Sequence, residues 1–188
     1  MMKSIKVIII GGSAGSFLVV SEILSNIRKD LQTPIFFCLH RLKNITTGFE
    51  EALNINSVIK IHEPRDKDVI KKGRIYLAPA NYHMLAEIGN SITLSLDELH
   101  NYSRPSIDLT FDSFSYLYRN KMMAIILSGA NSDGAEGMLN AHRRGAYTIV
   151  QDPKEAAVGT MVESTLKLIK PNEILTTDKI IERINSLE

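Results

Sequence analysis

The segment "VIIIGGSAGS", Val7 to Ser16, constrains the fold of this chain more than any other stretch. Four β-branched residues run directly into two glycines, a serine, an alanine and a third glycine. The apolar run predicts a buried strand over Ile5–Ile10, and the apolar residues of the following "FLVVSEILSNI" have helical spacing. The segment therefore predicts a strand, a tight turn and a helix, and it puts Ser13 inside the turn.

The same alternation of strands and helices recurs along the chain. Pro34–Leu39 predicts a second buried strand, and two strands joined by one helix favour a parallel crossover. Met122–Leu127 predicts another buried strand, which runs into the glycine-rich "SGANSDGAEG". The later elements predicted by periodicity and capping are a helix over Ile107–Tyr118 capped by Ser106, a helix "MLNAHRR" ending at Gly145, a strand "AYTIVQ", and helices over Thr160–Leu168 and Asp178–Leu187.

The middle of the chain has a different pattern. Arg41–Asn54 is polar and predicts a loop leading into a short helix, followed by a modest strand over Val58–Ile61. From Arg74 onward, "RIYLAP", "YHMLAEI" and "SITLSL" are separated by Ala80-Asn81 and Gly89-Asn90, which predicts an antiparallel ribbon. The elements together predict an α/β fold.

Composition narrows the class of protein. The 188 residues suit one domain, 1–188, and 22 basic against 21 acidic residues form no block that would predict nucleic-acid or anionic-membrane binding. No run approaches the roughly 18–20 apolar residues of a membrane span, and glycines interrupt the first apolar stretch too early for a signal peptide. Cys38 is the single cysteine, so no internal disulfide forms and a cytoplasmic location is expected.

Three polar residues follow three of the predicted strands. Ser13 follows the first strand, His40 the second, and Asp133 lies in the glycine-rich turn after "MMAIIL". In open α/β sheets, ligands collect beyond the carboxyl ends of the strands. Serine, histidine and aspartate are the components of a hydrolytic triad, so the sequence predicts a candidate active site at this edge.

The serine turn matches the pattern G-x-S-x-G, in which small neighbours let a nucleophile occupy a sharp strand-to-helix turn. A dinucleotide-binding G-x-G-x-x-G would need glycine in place of Ser13 and Ser16, and a Walker A loop would need a lysine. Anion binding at the helix N-terminus stays open as an alternative. For Asp133 the alternative is a cap on the helix that follows it.

The remaining histidines and the cysteine are interpreted as structural. His62 lies in a polar run, His83 in a hairpin strand, His100 in a loop and His142 beside two arginines. Only His40 stands at the end of a strand that should neighbour the Ser13 strand, which makes it the candidate general base. Cys38, inside an apolar strand, is interpreted as a core residue.

Several segments in one order, from about Ile5 to Ile184, resemble the catalytic domain of the chemotaxis receptor methylesterases, the CheB family. The segments are "IIGGSAGS" for the serine turn, "LHRL" and "TTGF" for the histidine loop, "GRIYLAPANYHM" for the hairpin, "SRPSIDLTF" before the long helix, "ILSGANSDGAEGM" for the aspartate turn and "QDPKEAAVGTM" near the end.

The resemblance implies a doubly wound three-layer sandwich with a mainly parallel sheet and an antiparallel hairpin. It implies Ser13 as nucleophile, His40 as base, Asp133 as the residue that orients the imidazole, and backbone N–H groups of Ala14 and Ala130 as oxyanion donors. The implied reaction is hydrolysis of glutamate γ-methyl esters with release of methanol, and deamidation of receptor glutamines as a second activity. No cofactor and no metal is implied.

The implied partner is the methylated cytoplasmic region of chemoreceptors or of receptor-like signalling proteins, with neither nucleic acid nor membrane insertion. The chain begins almost at the first strand, so it is expected to lack the family's N-terminal receiver domain. Constitutive activity, control by a separate receiver protein and action on a different methylated partner all stay open. Ala14 and Ala130 replace the threonine and methionine common in the family, which alters pocket shape but keeps the backbone donors. A non-catalytic binding module and an esterase or amidase acting on another substrate stay open as alternatives.

Overall fold

The computed structural model describes residues 4–41 and 48–187, and within them nine strands and six α-helices. The strands are β1 (Val7–Gly12), β2 (Ile35–Leu39), β3 (Ile61–His62), β4 (Ile75–Leu77), β5 (His83–Glu87), β6 (Ser91–Ser95), β7 (Met122–Ile126), β8 (Tyr147–Gln151) and β9 (Glu173–Leu175). The helices are α1 (Phe17–Asn26), α2 (Phe49–Asn54), α3 (Ile107–Tyr118), α4 (Ala135–Arg143), α5 (Thr160–Leu168) and α6 (Thr177–Asn185).

Seven strands form one sheet in the order β3-β4-β2-β1-β7-β8-β9, and every neighbouring pair in it is parallel. β1 lies at the centre, between β2 and β7. The order reverses at β1, because β2 and β4 extend the sheet on one side while β7 and β8 extend it on the other. β5 and β6 form a separate antiparallel hairpin. The doubly wound α/β class with a mainly parallel sheet and a hairpin is therefore confirmed.

Two hydrophobic cores lie on opposite faces of the sheet. Alternate residues of β1 point to opposite faces: Ile8 and Ile10 pack with apolar residues of α1 and α6, whereas Val7 and Ile9 pack with those of α3, α4, α5 and the hairpin. Burial on both faces explains why the central strands are continuous apolar runs. These two helical layers and the sheet between them form the three-layer sandwich.

The structure corrects the middle of the sequence analysis. β4 is a parallel strand of the main sheet, paired with β2 and β3, so only β5 and β6 form the antiparallel ribbon. The three β4 residues are buried, as expected for an interior strand, and the adjacent Asn81 gave a misleading hairpin signal. β3 begins at Ile61 instead of Val58, and β1 spans Val7–Gly12 instead of Ile5–Ile10.

The remaining elements agree more closely with the sequence. α3 and α5 have the predicted bounds, whereas β9 was not predicted. β9 is short and only partly buried, so it lacks an apolar run. Part of the predicted histidine loop, residues 42–47, lies outside the described residues. Among the helices of the described ranges, none has the length and apolar character to cross a bilayer.

Candidate active site

The serine turn is anchored to the end of the neighbouring strand. The backbone N–H of Ser13 donates to the carbonyl oxygen of Ser128, at 2.9 Å. Gly15 adopts a φ of +81°, and a Cβ there would lie 2.7 Å from Ser128 Oγ and 2.8 Å from Ala157 Cβ. Both its conformation and the lack of space therefore require glycine. Ser13 itself keeps a negative φ, so the left-handed conformation in this turn belongs to Gly15.

Ser128, two residues after the end of β7, holds the serine turn in place. Its hydroxyl donates to the carbonyl oxygen of Ala14 at 2.8 Å and accepts from the backbone N–H of Val158 at 2.9 Å. The sequence analysis assigned no role to this fully buried serine. Its position directly after a buried strand, in the glycine-rich segment that holds Asp133, was the available signal.

His40 lies beside Ser13 at the same edge of the sheet. The register pairs Gly12 with Leu39, so the residues that follow β1 and β2 are neighbours. The backbone N–H of His40 donates to the Gly12 carbonyl oxygen at 3.1 Å. Its side chain is 13% exposed, which leaves the imidazole accessible from one side. The Ser13 and His40 side chains, both described, are not hydrogen-bonded to each other.

The hydrogen bond to Asp133 fixes the imidazole tautomer of His40. Nε2 of His40 lies 2.7 Å from Oδ2 of Asp133. An ionised carboxylate only accepts hydrogen bonds, so Nε2 must carry a proton. In the neutral imidazole the lone pair then lies on Nδ1, the nitrogen on the other side of the ring.

Asp133 is fully buried and accepts hydrogen bonds at both oxygens. Besides His40, the donors are the Ser106 hydroxyl at 3.0 Å and the backbone N–H groups of Ile107 at 2.8 Å and Asp108 at 3.1 Å. Burial raises the pKa of Asp133, but the hydrogen bonds from His40 and these N–H groups outweigh it and hold the pKa below 3.8. Asp133 is therefore an anion stabilised by the N-terminus of α3.

This geometry corrects the capping alternative for Asp133. Its carboxylate faces the first turn of α3 instead of α4, the helix that follows it. Asp108 takes that role in α4, because its Oδ1 accepts from the backbone N–H groups of Gly134 at 2.8 Å and Gly137 at 2.6 Å. Asp133 therefore accepts hydrogen bonds from the N-terminus of α3, and Asp108 from the N-terminus of α4. Ser106 caps α3 as predicted, accepting from Leu109 N at 3.3 Å.

Asp108 has an unusual protonation equilibrium because of this arrangement. Burial raises its pKa to about 6, and the negative charge of Asp133 acts in the same direction against the backbone donors of α4. Its Oδ2 accepts from Asn101 Nδ2 at 2.9 Å and lies 3.7 Å from Nε2 of His100. Asp108 was not predictable from the sequence, because only the fold brings it near Asp133.

Backbone donors without a partner among the described residues occur in the serine turn and in the aspartate turn. The N–H groups of Ala14 and Ala130 have no such acceptor, and both residues are exposed. Their neighbours are engaged: Ser13 N bonds to Ser128, and Gly129 N donates to the Val158 carbonyl oxygen at 3.0 Å. Ala14 and Ala130, the residues expected to stabilise an oxyanion, thus each keep an unused backbone donor, as do Gly15, Asn131 and Ser132 in the same two turns.

The other candidates from the sequence lie apart from this chemistry. His83 is fully buried and accepts at Nδ1 from the backbone N–H of Ser106, at 3.1 Å, which makes it a packing residue. Burial raises the pKa of the Cys38 thiol, which keeps it protonated within the core. Over residues 4–41 and 48–187, no group of three His, Cys, Asp or Glu side chains is arranged to hold a metal ion.

Comparisons of sequence agree on one family. A family profile described as CheB methylesterase matches residues 8–184. A relative from Leptospira interrogans is 36% identical over 175 residues, which cover 93% of this chain and 91% of the relative. Protein-glutamate methylesterase/protein-glutamine glutaminase 4 of Geobacter metallireducens is 32% identical, over 97% of this chain and 53% of its own length. The chain thus spans about half of the latter protein.

Comparison of structures gives the same answer. The crystal structure of the Thermotoga maritima CheB methylesterase catalytic domain matches with a TM-score of 0.92 and 27% sequence identity. The match covers 99% of this chain and all of that domain. The sheet order, the hairpin and both helical layers therefore belong to a known architecture.

Proposed function

The chain belongs to the CheB methylesterase family, and we propose that it hydrolyses glutamate γ-methyl esters with Ser13, His40 and Asp133 as its catalytic unit. The observation that carries the proposal is the 2.7 Å hydrogen bond between His40 and the buried Asp133, beside the turn that presents Ser13. The names of the relatives support the same reaction.

In the first step, Nδ1 of His40 accepts the Ser13 proton while the hydroxyl oxygen attacks the ester carbonyl carbon. The Nε2–H bond to Asp133 orients the ring, and the carboxylate stabilises the imidazolium that forms. The roles of the two imidazole nitrogens are exchanged relative to the chymotrypsin triad, where Nδ1 faces the aspartate. A shift of the Ser13 side chain closes the missing hydrogen bond, as is common when substrate binds.

The oxyanion of the tetrahedral intermediate accepts hydrogen bonds from the free N–H groups of Ala14 and Ala130. Removal of one such donor typically raises the activation free energy by about 2.7–4 kcal/mol. The intermediate collapses to an acyl-enzyme, and the imidazolium returns its proton to the leaving methoxide, which departs as methanol. Water then attacks the acyl-enzyme with His40 again as base, and releases the glutamate carboxylate.

The same acyl chemistry accounts for glutamine deamidation, the second activity in the names of the relatives. There the imidazolium protonates an amide nitrogen and ammonia leaves in place of methanol. Amides are the less reactive substrates, and the same oxyanion donors would stabilise the tetrahedral intermediate of this reaction.

We assign the substrate to the methylated cytoplasmic region of chemoreceptors or receptor-like proteins, with residues 1–188 acting as one methylesterase domain in the cytoplasm. The continuous seven-stranded sheet supports the single domain. A separate receiver protein is the proposed regulatory partner.

The test is methanol release from a methylated receptor cytoplasmic fragment by the native protein and by Ser13→Ala. Loss of the nucleophile is expected to reduce kcat at least about a thousandfold. Circular dichroism checks that the variant is folded. Equal rates for the two proteins would refute the serine mechanism, and no release by the native protein would refute the substrate assignment.

A further inference from the structure

A basic cleft lies beside the edge of the sheet formed by β3 and β4. Its volume is about 470 Å³, and its charged and aromatic walls are formed by His62, Glu63, Arg65, Lys67, Asp68, Lys71, Arg74 and Tyr76. The four lysine and arginine side chains are exposed. The chain as a whole has a net charge of only +1, so this local excess of cations is a distinct feature of the surface.

The two carboxylates that line the basic cleft, Glu63 and Asp68, neutralise only part of the charge of its four cations. Glu63 pairs with Arg41, and Asp68 accepts from the backbone N–H of Arg65 at 2.8 Å. Among the cations, Lys67 pairs with Glu87 outside the cleft, at 2.8 Å. The other three, Arg65, Lys71 and Arg74, form no ion pair with any described residue.

Arg41 connects the basic cleft to the candidate active site. Arg41 directly follows His40, and its guanidinium group is 2% exposed. Its Nη2 donates to the carbonyl oxygen of Ala78, after β4, at 3.0 Å and to Glu63, after β3. β3 lies two strands from β2 in the sheet, which corresponds to about 10 Å. One end of the cleft therefore lies about 10 Å from the catalytic base, along the same edge.

The proposed reaction sets a condition on how its substrate is recognised. A glutamate methyl ester is neutral before hydrolysis, so charge cannot attract the group that reacts. The product is a carboxylate, and unmodified glutamates near the ester are carboxylates as well. Electrostatic recognition of the substrate must therefore use carboxylates beside the ester, at some distance from Ser13.

We propose that the basic cleft binds the acidic flank of the polypeptide segment that carries the esterified glutamate. The inference rests on the proposed function and adds the part of the substrate that is recognised. With a helical rise of 1.5 Å per residue, 10 Å corresponds to about seven residues. The cleft then selects acidic side chains about two helical turns or more from the ester.

The experiment uses two synthetic peptides that each carry one glutamate γ-methyl ester, one flanked by glutamates and the other by alanines, because flanking glutamines could themselves be deamidated to glutamates. The full chain is compared with Arg65→Glu/Lys71→Glu. A matched control, Lys29→Glu/Lys170→Glu, changes the net charge equally at exposed positions outside the cleft. Methanol release gives kcat and KM, and hydrolysis of a small neutral ester reports on the integrity of the Ser13 site.

The cleft variant is expected to raise KM for the acidic peptide by roughly tenfold, with kcat changed less than about twofold. The control variant and the alanine-flanked peptide are expected to show no such rise. About 0.5 M NaCl should remove most of the difference between the two peptides with the native protein. An unchanged ratio of kcat/KM for the two peptides in the cleft variant, or an equal change in the control, would overturn the proposal.

Failure of the proposed function is distinguishable from failure of this inference. If the native protein releases no methanol from either peptide, the substrate assignment fails. Binding of a fluorescent, unesterified acidic peptide then tests the basic cleft alone by anisotropy. Weaker binding by the cleft variant than by the control supports the cleft, whereas equal or undetectable binding overturns it.

Discussion

Asp108→Asn is expected to remove a pH dependence from the stability of the fold. Burial raises the pKa of Asp108 from 3.8 to about 6, with Asp133 adding to the effect. This difference corresponds to about 3 kcal/mol in the free energy of unfolding. The folded state keeps the proton to a higher pH than the unfolded chain does. The favourable contribution is therefore fully present below pH 3.8 and is lost as the pH rises through about 6.

Asparagine preserves the shape of the side chain, and its Oδ1 still accepts from the backbone N–H groups of Gly134 and Gly137. Because the amide does not ionise, the stability of the variant relative to the native protein should rise by about 3 kcal/mol from about pH 4 to about pH 8. Urea unfolding followed by circular dichroism measures this difference at each pH. Asp97→Asn, an exposed aspartate, controls for net charge.

The prediction concerns how the difference in free energy of unfolding between variant and native protein changes with pH, and not the size of that difference at any single pH. In the variant an NH2 group replaces Oδ2 and cannot accept from Asn101 Nδ2, and this loss shifts the difference by an amount that does not depend on the ionisation of Asp108. A difference between variant and native protein that stays constant over the whole range would refute the assignment of a raised pKa to Asp108. The same slope in Asp97→Asn would attribute it to net charge.

Three further substitutions test the geometry around the serine. Gly15→Ala should reduce kcat for ester hydrolysis at least about tenfold, because a Cβ 2.7 Å from Ser128 Oγ displaces the turn. Ser128→Ala should lower the free energy of unfolding by about 1–3 kcal/mol in urea, because Val158 N loses its acceptor. Gly11→Ala should lower the free energy of unfolding by about 1–3 kcal/mol, because its Cβ would lie 2.4 Å from Ile107 Cγ2. Unchanged unfolding curves for Ser128→Ala and Gly11→Ala would contradict these two predictions.

The central strands and the helices on them were predictable from sequence because burial on both faces leaves an unmistakable pattern. β1, β2 and β7 are uninterrupted apolar runs, and the helices have apolar residues at helical spacing. The position of β4 was not predictable in the same way. Three buried residues followed by a turn signal suit a hairpin strand as well as an interior parallel strand, and only pairing with β2 and β3 decides between them.

The neighbourhood of Ser13 and His40 followed from a simple rule, since adjacent parallel strands end at the same edge. The residues that support the site could not be predicted from this rule. Asp108 is 25 residues from Asp133 in sequence, and no local pattern indicates that their carboxylates hold each other's helices. The tautomer of His40 was equally hidden, because it depends on which ring nitrogen reaches the carboxylate.

The reciprocal capping by Asp108 and Asp133 also affects how the protein opens. If the first turn of α3 frays, Asp133 loses its backbone donors, and Asp108, which lies in that turn, moves away from the backbone N–H groups of α4. The first turns of both helices therefore lose support in one event. Amide hydrogens at Asp108 and Gly137 should therefore show the same free energy of opening in hydrogen exchange, as one cooperative unit. Local opening then removes the orientation of His40 as a whole, and a partly unfolded molecule does not retain a partly working site.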